Sequence, residues 1–371
     1  MPLPNPLTTS QTAATDPIEA VDDLDRAGRR RRTLVWVGAL CAALVGTVVL
    51  AVGLGPVGIA PGTVAQIIGH HVLGFPAEPT WAAADDNIIW LVRLPRVLLG
   101  MVVGAALAAT GVAIQALVRN VLADPFLLGT ASGASTGAAG SILFGLGASL
   151  GLAAVSASAF AGALAATALV FATARIGGRM TSIRLVLAGI AVAYALSALT
   201  SFLIFASDSR EGIRAVIFYL LGSLSQAQWG AIPIPAAVVG VTLLVLLLGG
   251  RRLDALAIGD DTALTLGADP TRLRTELFVV TAAAIGAVVA VSGTIGFVGL
   301  VVPHVARRMI GSQHRRVLVV AALLGAIFLV WADVVARTAF QPAELPLGIV
   351  TALVGTPFLL VLVRRFHLAS T

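Results

Sequence analysis

The sequence predicts an all-helical membrane protein with about ten transmembrane helices. Hydrophobic residues make up 58% of its 371 residues and charged residues only 11%, and the mean hydropathy is +0.98. Uncharged runs of about twenty residues, the length that crosses a bilayer core, recur from Leu34 to the C-terminus. The arginines give a third observation, because they separate into two unequal sets when these runs are taken as crossings.

Residues 1–32 precede the first apolar run. They are rich in Pro, Thr, Ala and acidic residues and end with Arg26 and the run Arg29 to Arg32, which predicts a disordered cytoplasmic tail closed by a basic membrane anchor. A cleaved signal peptide is the alternative, but the tail is long and no convincing small-x-small site follows. We therefore expect the membrane domain to occupy residues 33–371.

Ten crossings are predicted in this domain. They lie near residues 34–54, 94–118, 127–149, 152–174, 185–206, 231–249, 277–297, 298–310, 317–336 and 345–363, of which the eighth is too short for a full span. With the N-terminus inside, 19 of the 24 arginines lie in inner segments. The outer segments contain Arg93, Arg96, Arg210, Arg214 and Arg337. The positive-inside rule thus predicts a multi-pass protein of the cytoplasmic membrane with both termini in the cytoplasm.

The second crossing is predicted to lie at the centre of the bundle. Gly100, Gly104, Ala108 and Gly111 leave one helical face almost without side chains, so that neighbouring backbones can approach closely. Shifting the sequence by 182 residues overlays Gly104 on Gly286, with further Gly and Ala matches around them. Because the second crossing runs inward and the seventh outward, the two halves of five crossings are expected to be inverted repeats.

The outer segment from Gly55 to Trp90 is predicted to be a loop with one short interfacial helix. Its His70 and His71 are candidate metal ligands. Adjacent residues point in different directions on a helix, however, and no cysteine or carboxylate lies at ligand spacing. We therefore favour a solvated loop and predict no metal site.

The composition excludes several classes of function. The net charge is +6, but the arginines lie in short clusters between apolar runs, which does not indicate a nucleic-acid surface. All 24 Lys or Arg residues are arginines, so the chain has no Walker A lysine and no Schiff-base amine. The single Cys41 excludes an internal disulfide. We predict that the chain has no ATPase site of its own and needs no cofactor.

The largest inner connection, residues 251–276, predicts contact with a soluble partner. Its leucines give two short amphipathic helices separated by Gly259. Such helices either lie on a lipid surface or insert into a groove of another protein. The acidic pair Asp260 and Asp261 argues against an anionic membrane and favours the partner.

Several motifs occur in order along the chain. They are RLPR at 93–96, GAALAATG at 104–111, Gln115, Arg119 with Asn120, LADP at 122–125, SGTIGFVGLVVPH at 292–304, Arg307, Ala332 with Asp333, Ala336 with Arg337, ELPLG at 344–348, Thr351 with Ala352 and GTP at 355–357. Together they resemble the FecCD family, the vitamin B12 and ferric-siderophore permeases of ABC importers. Val121 departs from the family, because many relatives have a proline there, which would fix one φ angle of the turn.

The resemblance implies a type II ABC importer permease fold and a set of partners. These are a second permease subunit in a homodimer or heterodimer, two ATP-binding subunits, an extracytoplasmic substrate-binding protein and the surrounding membrane lipid. The implied substrate is a ferric siderophore, with vitamin B12 or haem as alternatives.

The resemblance also implies site residues at three places. Arg93, Arg96 and Arg337 match the outer arginines that receive acidic side chains of the binding protein, although interfacial snorkelling is the alternative. Asn120, Leu122, Thr181 and Ser182 fall at the family's cytoplasmic gate, where turn capping is a compatible role. Coupling to the ATP-binding subunit is implied for Leu256, Gly259, Asp260, Leu264 and Gly267.

Two other residues raise rival functions. Asp333 is a carboxylate within an apolar run and would be the ion site of a secondary transporter, but Arg337 one turn later predicts an i,i+4 ion pair instead. His304 would serve an intramembrane hydrolase only with a nearby serine in a wet cavity. A capping or packing role is favoured for His304.

Overall fold

The computed structural model describes residues 26–175 and 181–370, and within these ranges the chain forms fifteen α-helices. They are α1 (Arg26–Gly53), α2 (Pro61–Leu73), α3 (Ala83–Asn87), α4 (Leu94–Val118), α5 (Thr130–Phe144), α6 (Ala154–Ala174), α7 (Ser182–Phe205), α8 (Arg210–Leu221), α9 (Pro233–Leu248), α10 (Gly250–Ile258), α11 (Asp260–Thr265), α12 (Pro270–Ser292), α13 (Val298–Ile310), α14 (His314–Thr338) and α15 (Leu347–Ser370). The described chain is therefore all-helical, as the sequence predicts.

A helix lies at each of the ten predicted crossings. Within the described ranges, seven helical segments are long and apolar enough to span a membrane by themselves. They contain α1, α4, α6, α7, α9, α12 and α14. The apolar part of α15, Leu347–Leu362, is shorter, as are α5 with 15 residues and α13 with 13.

The structure corrects several helix boundaries. The crossing expected at 127–149 is only α5, because Gly129 and Gly145 adopt left-handed φ angles of 73° and 70° at its two ends. The crossing expected to begin at 277 begins at Pro270, because the side chain of Asp269 accepts hydrogen bonds from the first free N–H groups of α12. Local capping thus decides where these helices start and stop.

Only the last residues of the predicted tail lie within the part of the chain that the structure describes. Residues 1–25 lie outside the described residues, whereas Arg26 to Arg32, expected to close a disordered tail, form the first turns of α1. Arginine has a high helix propensity, so α1 begins within this basic segment and not at the first apolar residue.

Helix α4 lies at the centre of the bundle, as its small residues predict. Of the most apolar 18-residue stretch in the segment that contains α4, 78% of the residues are buried. A Cβ atom on Gly104 would overlap the carbonyl oxygen of Gly325 in α14, and a Cβ on Gly111 would overlap that of Gly299 in α13. Glycine at these positions therefore permits backbone contact between α4 and two other helices.

The contacts of Gly104 and Gly286 agree with an inverted repeat. Gly104 in the second crossing meets α14, the ninth crossing, whereas Gly286 in the seventh meets Ala163 of α6, the fourth. These two contacts are equivalent under the repeat, because crossings 2 and 9 correspond to crossings 7 and 4. The last residues of α4 and the first residues of α12 lie at the same end of the bundle, so these two helices run in opposite directions.

The short helices mark the two ends of the bundle. We call the end with α10 and α11 the inner end and the opposite end, with α2 and α3, the outer end. Helix α2 is the short helix expected between Gly55 and Trp90. Helix α8 was not predicted, although Ser209 caps it and Glu211 lies in its first turn.

Candidate functional site

At the inner end, Arg274 of α12 binds Asp260, the first residue of α11. Its two terminal nitrogens donate hydrogen bonds of 3.0 and 2.7 Å to the two carboxylate oxygens. The Arg274 side chain is only 2% exposed, whereas that of Asp260 is 36% exposed. Arg119, just after α4, lies 3.9 Å from the same carboxylate. A bidentate contact of this kind fixes the orientation of both side chains.

The same arginine connects α11 to two crossings. Arg274 donates a hydrogen bond of 3.2 Å to the hydroxyl of Ser182, the first residue of α7. Ser182 in turn donates one of 3.0 Å to the carbonyl of Leu117 in the last turn of α4. We call Asp260, Arg274, Ser182 and Leu117 the inner clamp. It brings together a predicted coupling residue and a predicted gate residue.

The predicted gate residues Asn120, Leu122 and Thr181 are part of the local turns. Arg119 ends α4 in a left-handed conformation, and Asn120 accepts a hydrogen bond of 2.9 Å from the backbone of Leu122. Thr181 caps α7 by accepting one of 3.4 Å from Arg184. The capping role expected for these side chains is therefore present, and their role as a gate stays a prediction.

The predicted coupling residues divide into buried and exposed positions. Leu256 is fully buried in the bundle, whereas Leu264 is 51% exposed. Gly259 separates α10 from α11, and Gly267 follows α11 with a left-handed φ of 77°. Ile258 and Leu266 are also exposed, so the inner end presents apolar side chains beside the inner clamp.

A second polar link joins α13 to α4. Arg307 donates a hydrogen bond of 2.6 Å to the side-chain oxygen of Gln115, whose amide donates one of 3.2 Å to the carbonyl of Gly299. Gln115 is 3% exposed. These contacts satisfy buried polar groups and hold both ends of the short helix α13 against α4.

At the outer end, Arg93, Arg96 and Arg337 are 5%, 7% and 4% exposed and have partners within the chain. Arg96 contacts Asp333 at 2.9 Å and Glu344 at 3.0 Å. Arg337 lies 3.6 Å from Asp333, which confirms the predicted i,i+4 pair. We call Arg96, Asp333, Glu344 and Arg337 the outer charge network.

Two of these arginines also bind the C-terminal end of α1. Arg93 donates hydrogen bonds of 3.0 Å to the carbonyls of Val52 and Gly53, and Arg337 donates to that of Ala51. The last carbonyls of a helix have no partner within the helix and carry partial negative charge. The guanidinium groups therefore hold α1 against α4 and α14 in this structure.

The signal for this network was only partly visible in the sequence. The spacing of Asp333 and Arg337 predicts their pairing, but Arg96 and Asp333 are 237 positions apart. Similarly, Arg274 was counted only as one of the inner arginines, because its partner Asp260 and its partner Ser182 lie on other elements.

The two histidines of the outer segment belong to an aromatic cluster. His71 stacks on Trp90 with ring centroids 4.1 Å apart and lies 3.1 Å from Asp86. Trp81 donates a hydrogen bond of 3.0 Å to the same carboxylate. His304 in α13 packs edge-to-face against Phe358, with centroids 5.7 Å apart.

Within the described residues, an all-helical bundle with seven segments long and apolar enough to span a membrane is that of a multi-pass membrane protein. The chain belongs to the FecCD transport family, whose model matches residues 43–365. It is thus a permease of an ABC importer.

Curated relatives and a solved structure agree with this assignment. The chain is 44% identical to the hemin transport system permease protein HmuU of Yersinia pestis, over 77% of this chain and 86% of that one. It is 43% identical to the cobalamin import system permease protein BtuC of Halobacterium salinarum, over 75% and 73%. It is 42% identical to the Fe(3+)-citrate import system permease protein YfmD of Bacillus subtilis, over 77% and 84%.

The structural match covers 89% of this chain and 98% of the other, with a TM-score of 0.78 and 30% identity. That protein is a metal-chelate type ABC transporter in an inward-facing conformation.

Proposed function

We propose that this chain is the permease subunit that takes up a ferric siderophore across the cytoplasmic membrane, with both termini inside. Vitamin B12 and haem are the alternative substrates. The observation that carries the proposal is the inner clamp, in which Arg274 connects α11 to α7 and α4. A force applied to α10 and α11 therefore has a direct polar path to two membrane crossings.

Two separate ATP-binding subunits supply the energy in this proposal. The chain has no lysine and thus no Walker A loop of its own. Exposed Leu264 and Leu266 offer the apolar anchors that a short helix needs to seat in a groove of another protein. ATP binding and hydrolysis then shift α10 and α11, and the inner clamp transmits this shift to the turns at Asn120 and Thr181.

A second permease subunit, identical or similar, completes the pathway. Helix α7 exposes Leu187, Tyr194 and Phe202, which fits a surface against lipid or another membrane helix. A groove of about 560 Å³ between the end of α8 and α15 is lined by Leu221, Gly348 and neighbouring residues, with no charged side chain among them. Such a lining offers few ligands to a bulky chelate, which must leave as easily as it enters.

An extracytoplasmic binding protein docks on the outer end in this proposal. Arg210 and Arg214 of α8 are exposed and can meet acidic side chains first. Docking on Arg93, Arg96 and Arg337 requires a carboxylate of the partner to replace Glu344 or the carbonyls of α1, because these guanidinium groups are buried. Such an exchange would loosen α1 from α4 and α14 when the partner binds.

The choice of substrate rests on the relatives. HmuU is a hemin transporter and YfmD an Fe(3+)-citrate importer, so two of the three relatives described above carry an iron chelate. BtuC carries cobalamin, which keeps vitamin B12 as an alternative. A siderophore likewise combines a chelated ferric ion with a bulky organic ligand.

A secondary transporter would need a mid-membrane ion site, and Asp333 is poorly suited to this role. Its carboxylate is 2% exposed and contacts both Arg96 and Arg337, so an ion would have to displace two arginines.

The test is uptake by proteoliposomes that contain the complete complex. We expect uptake of a radiolabelled ferric siderophore to require ATP, the ATP-binding subunits and the binding protein. Haemin and cyanocobalamin, offered under the same conditions, distinguish the substrates. Uptake by the permease alone under an imposed ion gradient would contradict the proposal.

A further inference from the structure

A second cavity lies at the inner end, on the side of α1. Its volume is about 720 Å³, and it is formed between the start of α1, the end of α10 and the connection from α13 to α14. Arg29, Arg30 and Arg316 line it together with Ser312 and Gln313. This volume lies within the range of small-molecule sites, about 300–1,000 Å³.

The cavity has an excess of positive charge. Within the described ranges, Arg29, Arg30 and Arg316 have no carboxylate partner. The one acidic residue of the lining, Asp254, is already engaged, because it accepts hydrogen bonds of 2.9 and 2.7 Å from the backbone and ring of His314. Three arginines against one carboxylate leave the lining with a net positive charge, which favours an anionic ligand.

The cavity is also amphiphilic and lies at the depth of lipid headgroups. Leu34 and Val35, one turn beyond Arg30, are 62% and 63% exposed and begin the lipid-facing part of α1. The arginines therefore lie just outside the hydrocarbon region. Ile258 and Ile310 give the cavity an apolar side, and Ile258 is 72% exposed.

We propose that this cavity binds the phosphodiester headgroup of an anionic phospholipid from the inner leaflet. The guanidinium groups of Arg29, Arg30 and Arg316 contact the phosphate oxygens, Ser312 and Gln313 bind the headgroup hydroxyls, and the glycerol and first acyl carbons contact Ile258 and Ile310. Basic pockets between helices at an anionic leaflet bind lipid headgroups in this way. A bound lipid would join α1 to α10, the helix that leads into the inner clamp.

Two triple variants test the site with the same change in charge. Arg29→Gln/Arg30→Gln/Arg316→Gln removes the lining arginines. Arg31→Gln/Arg32→Gln/Arg315→Gln removes three exposed arginines from the same two segments, none of which lines the cavity. Native mass spectrometry of the purified full chain, titrated with dioleoylphosphatidylglycerol, measures lipid affinity. Dioleoylphosphatidylcholine and inorganic phosphate are the comparison probes, and thermal unfolding confirms that both variants fold.

We expect the lining variant to bind phosphatidylglycerol roughly 100-fold more weakly, since each lost contact between a guanidinium group and the lipid phosphate lowers the affinity about five-fold. The control variant should change it less than about five-fold. Equal losses in both variants, or no loss in the lining variant, would overturn the proposal. Competition by inorganic phosphate alone would assign the cavity to a soluble phosphate instead. If the lining variant keeps its lipid affinity but no longer co-purifies with the ATP-binding subunit, the cavity is a protein interface.

Discussion

The ion pair between Arg274 and Asp260 allows a quantitative test of the inner clamp. Removing one partner of a fully buried pair costs about 3–5 kcal/mol, whereas an exposed pair contributes about 0–1 kcal/mol. Arg274 is buried, but Asp260 is 36% exposed, so water replaces part of the lost contact. We therefore expect Asp260→Asn to weaken the attachment of α11 to α12 by about 2 kcal/mol, the value of a charged hydrogen bond.

A loss of about 2 kcal/mol raises the fraction of detached α11 roughly 30-fold. The ATP-binding subunits should then still hydrolyse ATP, while less substrate crosses per ATP. Both rates are measured in the same proteoliposomes with the complete complex. Asp261→Asn is the matched control, because Asp261 is the adjacent acid and is exposed. The reasoning is refuted if Asp260→Asn leaves the transport-to-hydrolysis ratio unchanged or if Asp261→Asn lowers it equally.

Three further predictions concern the rest of the molecule. Asp333→Asn should lower the unfolding temperature strongly, at a cost of about 3–5 kcal/mol, because it removes the buried carboxylate that Arg96 and Arg337 share, whereas Glu344→Gln at the exposed edge should have a small effect. Gly104→Ala should reduce stability by about 1–3 kcal/mol, because its Cβ overlaps a carbonyl of α14. Leu264→Asp/Leu266→Asp should abolish co-purification of the ATP-binding subunit, because both side chains are exposed at the inner end.

Each of these predictions has a clear contrary result. Equal unfolding temperatures for the Asp333 and Glu344 variants would show that the outer charge network does not stabilise the bundle. For the central helix, the control is Gly46→Ala, since a Cβ at Gly46 meets no atom within 4 Å. Loss of stability in that variant too would remove the argument from close packing. Normal assembly of the double leucine variant would place the ATP-binding subunit elsewhere.

The crossings, the central position of α4 and the inverted halves were predictable because they depend on local properties. Length and hydropathy locate each apolar helix, and the small residues around Gly104 indicate backbone contact. The Gly259 break likewise predicted α10 and α11. The predicted positions of the helix ends were less accurate, because single capping residues such as Asp269 and Gly293 determine where a helix begins and ends.

The side-chain network was not predictable to the same degree. The outer arginines were expected to face a partner, but their burial depends on the carbonyls at the end of α1 and on Asp333, which lie far away in the sequence. The role of Arg274 depends on α7 and α11 meeting at one point. A single sequence contains no local signal for such contacts between distant elements.

The central claim is that the segment from residue 251 to 276 faces the cytoplasm and binds a separate ATP-binding subunit. Thr265→Cys in a Cys41→Ser background places one thiol on this segment, and Ala77→Cys places one on the outer end; both positions are exposed. We predict that a membrane-impermeant thiol reagent labels residue 265 only from the cytoplasmic side and residue 77 only from the opposite side. The ATP-binding subunit should protect residue 265. Labelling of residue 265 from outside the cell would contradict the account.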